Sequence, residues 1–266
     1  MIKNKNIIIT GALGLLGKSL TAELAQRGAN IIMLDIKNKK QLKEIQNLNL
    51  IKNKINYIKC NVSNIKSVIK TDKIIKRKFP RIDVLINAAA ITDRVEGNSS
   101  NPKRSMFENY SIKDWNKSIL GNLNSMFICS QVFGKRMLKY KKGSIINISS
   151  TYGIVGPDQS IYTNKKNKNL FFKTPSYPTS KGAVISFTKY LASYWGGKGI
   201  KVNCVSPGGI KNNQNKEFIK KYSAKTLLGR MAETRDIVGI IKFLCSDDSS
   251  YITGSNIVVD GGWTAI

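Results

Sequence analysis

Short, almost wholly apolar runs alternate with longer amphipathic stretches along most of the chain. Asn6-Ile7-Ile8-Ile9-Thr10 reads as a strand, Lys18 to Arg27 as a helix closed by Gly28, and Ile31-Ile32-Met33-Leu34-Asp35 as a second strand. Tyr57 to Cys60 is a third strand, Ile65 to Phe79 a helix, Val84 to Asn87 a strand, and Trp115 to Tyr140 one long or two short helices. Ser144 to Ser149 is a strand, Ser176 opens a further apolar helix, and Lys201 to Val205 is a strand. Ile237 to Leu244 is a helix and Ile257 to Asp260 the last strand. Apolar runs without polar alternation suit strands covered on both faces. The order predicts an α/β fold, a doubly wound parallel sheet in a single domain over residues 1–266, with no internal repeat or linker. Right-handed crossovers bring the strand C-termini to one edge, where ligands bind.

The turn after the first strand reads Gly11-Ala12-Leu13-Gly14-Leu15-Leu16-Gly17. Strand, glycine turn, helix, strand and acid follow in the order of the dinucleotide-binding unit of a Rossmann fold. Glycines let the backbone approach a pyrophosphate, and the helix N-terminus offers it free N–H groups and the positive end of a dipole. Gly11, Gly14, Leu15, Leu16 and Gly17 are therefore expected at the cofactor. Asp35 ends the second strand, where a carboxylate accepts both adenosine ribose hydroxyls and repels a 2′-phosphate. NAD is the expected cofactor, and Lys37 keeps NADP possible.

Tyr177 and Lys181 stand at i and i+4 at the start of the helix opened by Ser176, with Pro178 suited to its first turn. That spacing stacks the two side chains on one face. A neighbouring ammonium stabilises a phenolate and brings a tyrosine towards the working range of a general acid/base.

Composition narrows the alternatives. The chain has 266 residues, a formal net charge of +28 and 41% hydrophobic residues. Its basic residues are spread over the whole length beside an excess of Asn and Ile, a pattern of AT-rich coding, and no nucleic-acid-binding motif is present. No nucleic-acid partner is expected, while a positive field would gather anionic small molecules. No apolar run reaches the roughly 18 residues of a membrane helix, and Met1-Ile2-Lys3 leads directly into the first strand, so a cytoplasmic protein with no membrane partner is expected. There is no histidine, which removes Ser-His-Asp catalysis and histidine metal sites. Cys60, Cys129, Cys204 and Cys245 show no metal spacing, and no metal is expected.

In sequence order, Thr10-Gly11 through Gly17, Asp35, Cys60-Asn61-Val62, Asn87-Ala88-Ala89-Ala90, Asn122, Ser150, Tyr177/Lys181, Pro207-Gly208, Tyr251 to Gly254 and Val259-Asp260-Gly261-Gly262 resemble the short-chain dehydrogenase/reductase family, compact type. The resemblance implies that Tyr177 exchanges the proton of a substrate hydroxyl or carbonyl and that Lys181 assists it and holds the nicotinamide ribose. It implies that Ser150 holds the substrate oxygen, with Ser149 its rival by one register. Asn122, with Asn124 close by, would hold a relay water. Asn61, Val62, Asn87, Ala88, Ala89, Pro207, Gly208 and Ile210 would complete the cofactor contacts, and a homodimer or homotetramer is implied, built on the Asn122 to Tyr140 and Tyr177 to Trp195 helices. The chain departs from the family in the middle glycine of its turn, at Asn61 where an aspartate is usual, at Ala88 and Ala90, and at Asn212 where a threonine often stands.

Ser150 and Tyr177 lie farther apart than in most compact members, so an insertion around residues 154–176 must emerge beside the substrate. Asp158 and Tyr162 within it are expected to join Ser150 and Tyr177 in substrate binding. Asp93, Arg94, Glu96, Gln159 and Asn164 make both loops polar, which suits a hydroxylated or anionic substrate. Tyr152 to Asp158 and the ending Gly261-Gly262-Trp263-Thr264-Ala265 further resemble a branch associated with flagellin-glycan and sialic-acid-like sugar biosynthesis, implying a sugar or nucleotide sugar. The alternatives are a 3-oxoacyl-thioester reductase and a non-catalytic NAD-binding regulatory or scaffold protein.

Overall fold

The computed structural model describes residues 1–45, 48–92, 102–163 and 171–266. Seven strands, β1 (Asn6–Thr10), β2 (Asn30–Asp35), β3 (Ile55–Lys59), β4 (Val84–Asn87), β5 (Gly143–Ile148), β6 (Ile200–Pro207) and β7 (Asn256–Val259), form one sheet in the order β3-β2-β1-β4-β5-β6-β7. Every pairing is parallel. The helices are α1 (Leu15–Gln26), α2 (Leu48–Ile51), α3 (Ile65–Lys78), α4 (Ile112–Ile119), α5 (Ser125–Lys139), α6 (Ser176–Trp195), α7 (Lys216–Ser223) and α8 (Thr234–Cys245).

The apolar runs are continuous because both sheet faces are covered, and the side-chain period of two divides each run between two cores. Ile7, Ile9, Ile31, Met33, Val84 and Ile86 pack with α1 and α8 on one face. Ile8, Ile32, Leu34 and Leu85 point the other way, to Val68 and Ile75 of α3, Phe133 of α5 and Leu191 of α6. Strand order reverses between β1 and β4, each parallel to the other. Their C-terminal ends flank the crevice that such a reversal opens.

Two features differ from the expected elements. The stretch Trp115 to Tyr140 is α4 and α5 joined through a wide π turn, Leu120–Asn124, in which Ser125 N donates to Leu120 O. Helix α7 was not expected; its buried residues are Phe218 and Tyr222, with Ile219 packed beside them, set among lysines. Asp93, Arg94, Glu96 and Asn164, with the basic stretch that runs to Asn169, lie outside the described residues.

The described part of the insertion is packed. Gln159–Tyr162 forms a short 3-10 turn whose Ile161 and Tyr162 are buried in a cluster with Phe218, Tyr222, Met231 and Trp263. Lys221 Nζ donates to Thr163 O and Oγ1 at 2.8 and 2.7 Å, and Lys225 pairs with Asp158. These contacts fasten the insertion to α7 and the turn behind it. Among the described residues, no helix is long and apolar enough to cross a membrane.

Candidate active site

An open cleft of about 890 Å³ runs along the C-terminal edge of the sheet. Its first half is made by the turn between β1 and α1. Gly11 has φ +64, and a Cβ there would lie 2.7 Å from Ala89 Cα; a Cβ on Gly17 would lie 2.3 Å from Gly11 O. Only glycine permits this close approach of turn, helix and β4. Helix α1 starts at Leu15 with no side-chain cap and no acid in its first turn, so its N-terminal N–H groups remain suited to an anion. Thr10 Oγ1 accepts from Ala88 N and Ala89 N at 3.1 Å each, which sets the backbone of the opposite wall. A dinucleotide pyrophosphate fits this cradle.

Asp35 is buried and lines the cleft. Its Oδ2 accepts from Leu13 N at 2.8 Å and its Oδ1 from Lys37 N at 2.9 Å. The carboxylate thus holds the glycine turn against the end of β2 and keeps lone pairs for further donors. Asn61, Val62, Ala88, Ala89, Pro207, Gly208 and Ile210 also line the cleft. The Asn61 side-chain oxygen already accepts from Ser63 N at 3.0 Å. Asn87, expected at the cofactor, is placed elsewhere: it is buried beneath the cleft floor, and its Nδ2 donates to Asn147 Oδ1 at 2.9 Å and Ser130 Oγ at 3.1 Å. It ties β4 to β5 and α5, because the strand's side-chain alternation turns it into the α5 face.

The second half of the cleft is built on α6 and the end of β5. Lys181 is buried, and its Nζ donates to Ile148 O at 2.8 Å and lies 5.8 Å from the Tyr177 ring centre. Burial pushes its pKa down to about 8, with the neighbouring Lys173 ammonium adding to the fall and Cys204 opposing it. Ser150 and Ser149 are distinguished by their partners. Ser149 Oγ donates to Lys181 O at 2.6 Å, a structural bond to α6. Ser150, in extended conformation, caps the turn Thr151–Gly153 by accepting from Tyr152 N at 3.2 Å and lines the cleft.

Asn122 sits in the π turn, fully buried. Its Oδ1 accepts from Ile91 N at 2.6 Å, and its Nδ2 donates to Ile91 O, Ser118 Oγ and Ser180 Oγ at 3.1, 3.3 and 3.2 Å. The side chain is thus committed to joining the loop after β4, the α4 end and the first turns of α6, and it does not line the cleft. The wide turn it occupies is a form of helix often found at functional sites.

Four tyrosines line the cleft: Tyr152, Tyr162, Tyr177 and Tyr222. Burial raises three of them, Tyr152 to about 12 and Tyr162 and Tyr222 beyond the ordinary tyrosine range. These three remain protonated wall residues; Tyr152 and Tyr162 share a hydrogen bond at 3.0 Å, and Tyr222 stacks on Trp263. Among the described residues, Tyr177 is the one of the four with lysine ammoniums against its ring, Lys173 at 4.0 Å and Lys181 at 5.8 Å.

Asp158 does not line the cleft. The pairing with Lys225, helped by Ser160, holds its carboxyl down to about 2, so it anchors the insertion. The wall is more aromatic than the polar loop sequence suggests. Lys173, Phe218, Tyr222 and Thr10 were not anticipated; of these, only Thr10 carried a local signal, as the polar residue ending the strand before Gly11.

Comparison with known proteins agrees with this geometry. Residues 11–264 match the family described as Enoyl-(Acyl carrier protein) reductase. A 3-oxoacyl-(acyl-carrier-protein) reductase of Thermotoga maritima is 31% identical over 98% of both chains. A 2-dehydro-3-deoxy-D-gluconate 5-dehydrogenase of Pseudoalteromonas atlantica is 29% identical over 98% of this chain and 96% of its own. The crystal structure of a short chain dehydrogenase from Leptospira borgpetersenii with bound NAD+ is 33% identical, with a TM-score of 0.84, covering 99% of this chain and 94% of that one. None of the three carries a name that points to flagellin-glycan or sialic-acid-like sugar assembly, so that finer resemblance is not supported. With the glycine cradle and the Tyr177/Lys181 pair on one sheet edge, this chain belongs to the short-chain dehydrogenase/reductase family and is an NAD(P)-dependent oxidoreductase of CH–OH and carbonyl groups.

Proposed function

We propose that the enzyme oxidises or reduces one carbinol or carbonyl carbon of a polar, hydroxylated small molecule, a sugar or sugar-derived compound, with NAD as its preferred cofactor. The observation that carries the reading is the convergence on one cleft of the Asp35-braced glycine turn and of Tyr177 beside two lysines. Bound nicotinamide supplies the site that takes or gives the hydride. Tyr177 Oη takes or returns the proton of the substrate oxygen, and Ser150 Oγ hydrogen-bonds the same oxygen as its charge changes. Lys181, whose ammonium loses its proton near pH 8, favours the ionised tyrosine and passes its proton onward. Asn122 positions α6 through Ser180.

Asp35 supports NAD because a 2′-phosphate would stand against a buried carboxylate already held by two N–H groups. The 2-dehydro-3-deoxy-D-gluconate dehydrogenase relative supports a sugar-derived substrate. A second reading, reduction of 3-oxoacyl thioesters, is favoured by the Thermotoga maritima relative and by the apolar wall of Phe218, Tyr222 and Met231. Absorbance of the nicotinamide, followed with NAD or NADP and a panel of sugars, sugar acids, nucleotide sugars and 3-oxoacyl thioesters, separates the two. Turnover confined to thioesters with NADP overturns the sugar reading. A homo-oligomer is part of the proposal, since Phe127 on α5 and Tyr190 and Tyr194 on α6 are exposed, with the two tyrosines stacked on each other.

A further inference from the structure

Beyond Pro207, the last residue of β6, the chain runs Gly208-Gly209-Ile210 along the cleft. Segments distant in the sequence hold this backbone. Gly208 N donates to Val259 O of β7 at 2.9 Å, and Gly209 O accepts from Ala232 N at 3.0 Å. A side chain supplies the next hold: Gly209 N donates to Tyr222 Oη. Tyr222 lies on α7, and a Cβ on Gly209 would stand 2.7 Å from its Cζ. Glycine at 209 is what lets α7 close onto this stretch.

Behind the tyrosine, Trp263 stacks on it, with ring centres 4.5 Å and planes 27° apart. The turn after β7 holds Trp263 in place: Asp260 Oδ1 accepts from Gly262 N at 2.9 Å and Oδ2 from Thr264 N at 2.9 Å. One turn back on α7, the Phe218 ring packs 5.5 Å from that of Tyr162 in the insertion. Phe218, Tyr162 and Tyr222 all line the cleft. The substrate wall is thus tied to the Gly209 backbone through one phenol.

We propose that Tyr222 is a positioning residue: through Gly209 it sets the substrate wall of α7 and the insertion in register with the backbone that faces the cofactor. The inference rests on the oxidoreductase reading above, with Pro207, Gly208 and Ile210 at the cofactor. Reacting atoms must stand about 3–3.5 Å apart, and a misplacement of about 1 Å costs on the order of 100-fold in rate. Apolar packing alone has no direction, whereas a hydrogen bond from a backbone N–H to a phenol fixes both distance and angle. The link is also reciprocal, so a cofactor that steadies the Gly208 to Ile210 backbone steadies α7 with it.

The test uses the full-length protein with NADH, in wild type, Tyr222→Phe and Gly209→Ala. Tyr222→Phe keeps the ring and its stack but leaves Gly209 N without this acceptor; Gly209→Ala drives the phenol off from the other side. Amide hydrogen exchange over residues 216–223 is followed with and without saturating NADH. In wild type NADH should slow exchange there by at least about fivefold, and in both variants that response should be lost. A merely structural tyrosine would speed exchange in Tyr222→Phe and leave the response to NADH intact. An unresponsive α7 in wild type, or a full response in either variant, overturns the proposal. On any panel member that turns over, single-turnover hydride transfer gives a first-order rate constant that does not depend on how much protein is folded. Tyr222→Phe should lower that constant on the order of 10-fold or more, with KM and the dissociation constant for NADH little changed; an unchanged constant overturns the proposal as well. A protein that binds NADH and turns over no panel member fails the oxidoreductase reading, while the exchange experiment still decides the Tyr222 link.

Discussion

Nζ of Lys181 donates to the carbonyl oxygen of Ile148 at 2.8 Å, which fastens a buried ammonium on α6 to the last residue of β5. Burial lowers this lysine from an ordinary 10.5 to about 8. The unfolded chain therefore binds more protons than the folded one between those values. The cost of the buried charge is fully present below pH 8 and is relieved as the pH rises towards 10.5, on the order of 3 kcal/mol in all. Lys181→Met should make the cofactor-free protein more stable at pH 7, and the difference from wild type should shrink between pH 8 and 10.5. Urea unfolding across that range measures it; a difference independent of pH would be the contrary result.

Tyr177→Phe removes the proposed proton carrier and keeps the ring beside the two lysines. Expected is a fall in kcat/KM of about 10² to 10⁴, with the dissociation constant for NAD changing far less. Steady-state kinetics beside fluorescence titration of NAD decides it.

Asp35→Ala strips Leu13 N and Lys37 N of their acceptor. The change should loosen the glycine turn, costing about 1–3 kcal/mol in stability, and should shift the NAD-to-NADP affinity ratio by at least roughly tenfold towards NADP, as Lys37 loses its neighbouring negative charge. Parallel titrations with both cofactors test the shift; an unchanged ratio removes Asp35 from cofactor selection.

Gly17→Ala places a methyl 2.3 Å from Gly11 O, with Ala12 backbone atoms within 2.8 Å. Neither neighbour is a side chain that can swing aside. Dinucleotide binding should be lost before the fold is, so calorimetry should show no NAD heat in a protein that still melts cooperatively.

Replacing Tyr190 and Tyr194 together by Glu sets two charges on the exposed faces of α6. Light scattering should show an oligomer for wild type and a monomer for the double variant. A monomeric wild type ends the oligomer proposal.

The sheet and the first half of the cleft were legible because their signals are local. Ile7 to Thr10, the glycine turn and Asp35 stand within one continuous stretch, and each follows from its own backbone requirement. Tyr177 and Lys181 were legible for the same reason, being one helical turn apart. Asn87 was misplaced because a strand end has two faces, and the sequence there does not say which one meets α5. Asp158 looked available because its partner Lys225 is remote in sequence, and Lys173 looked like one more lysine in a basic loop until Gln159 and the Tyr177 ring fixed its position. The π turn at Leu120–Asn124 left no mark on the apolar pattern, since one extra residue in a helix shifts the buried face without interrupting it.

The fastening of the insertion to α7 through Lys221 with Thr163 and Lys225 with Asp158 bears on how such a protein can change over generations. The wall that meets the substrate is shared by two stretches distant in the chain, so an exchange of either alone leaves unmatched lysines and a broken aromatic stack. The glycine turn, by contrast, is specified by its close backbone contacts with Ala89 and with its own residues Gly11 and Ala12. New substrate preferences are therefore expected to arise by paired replacement of residues 154–176 and 216–231, as one heritable cassette, while the half that serves the dinucleotide is carried forward unchanged.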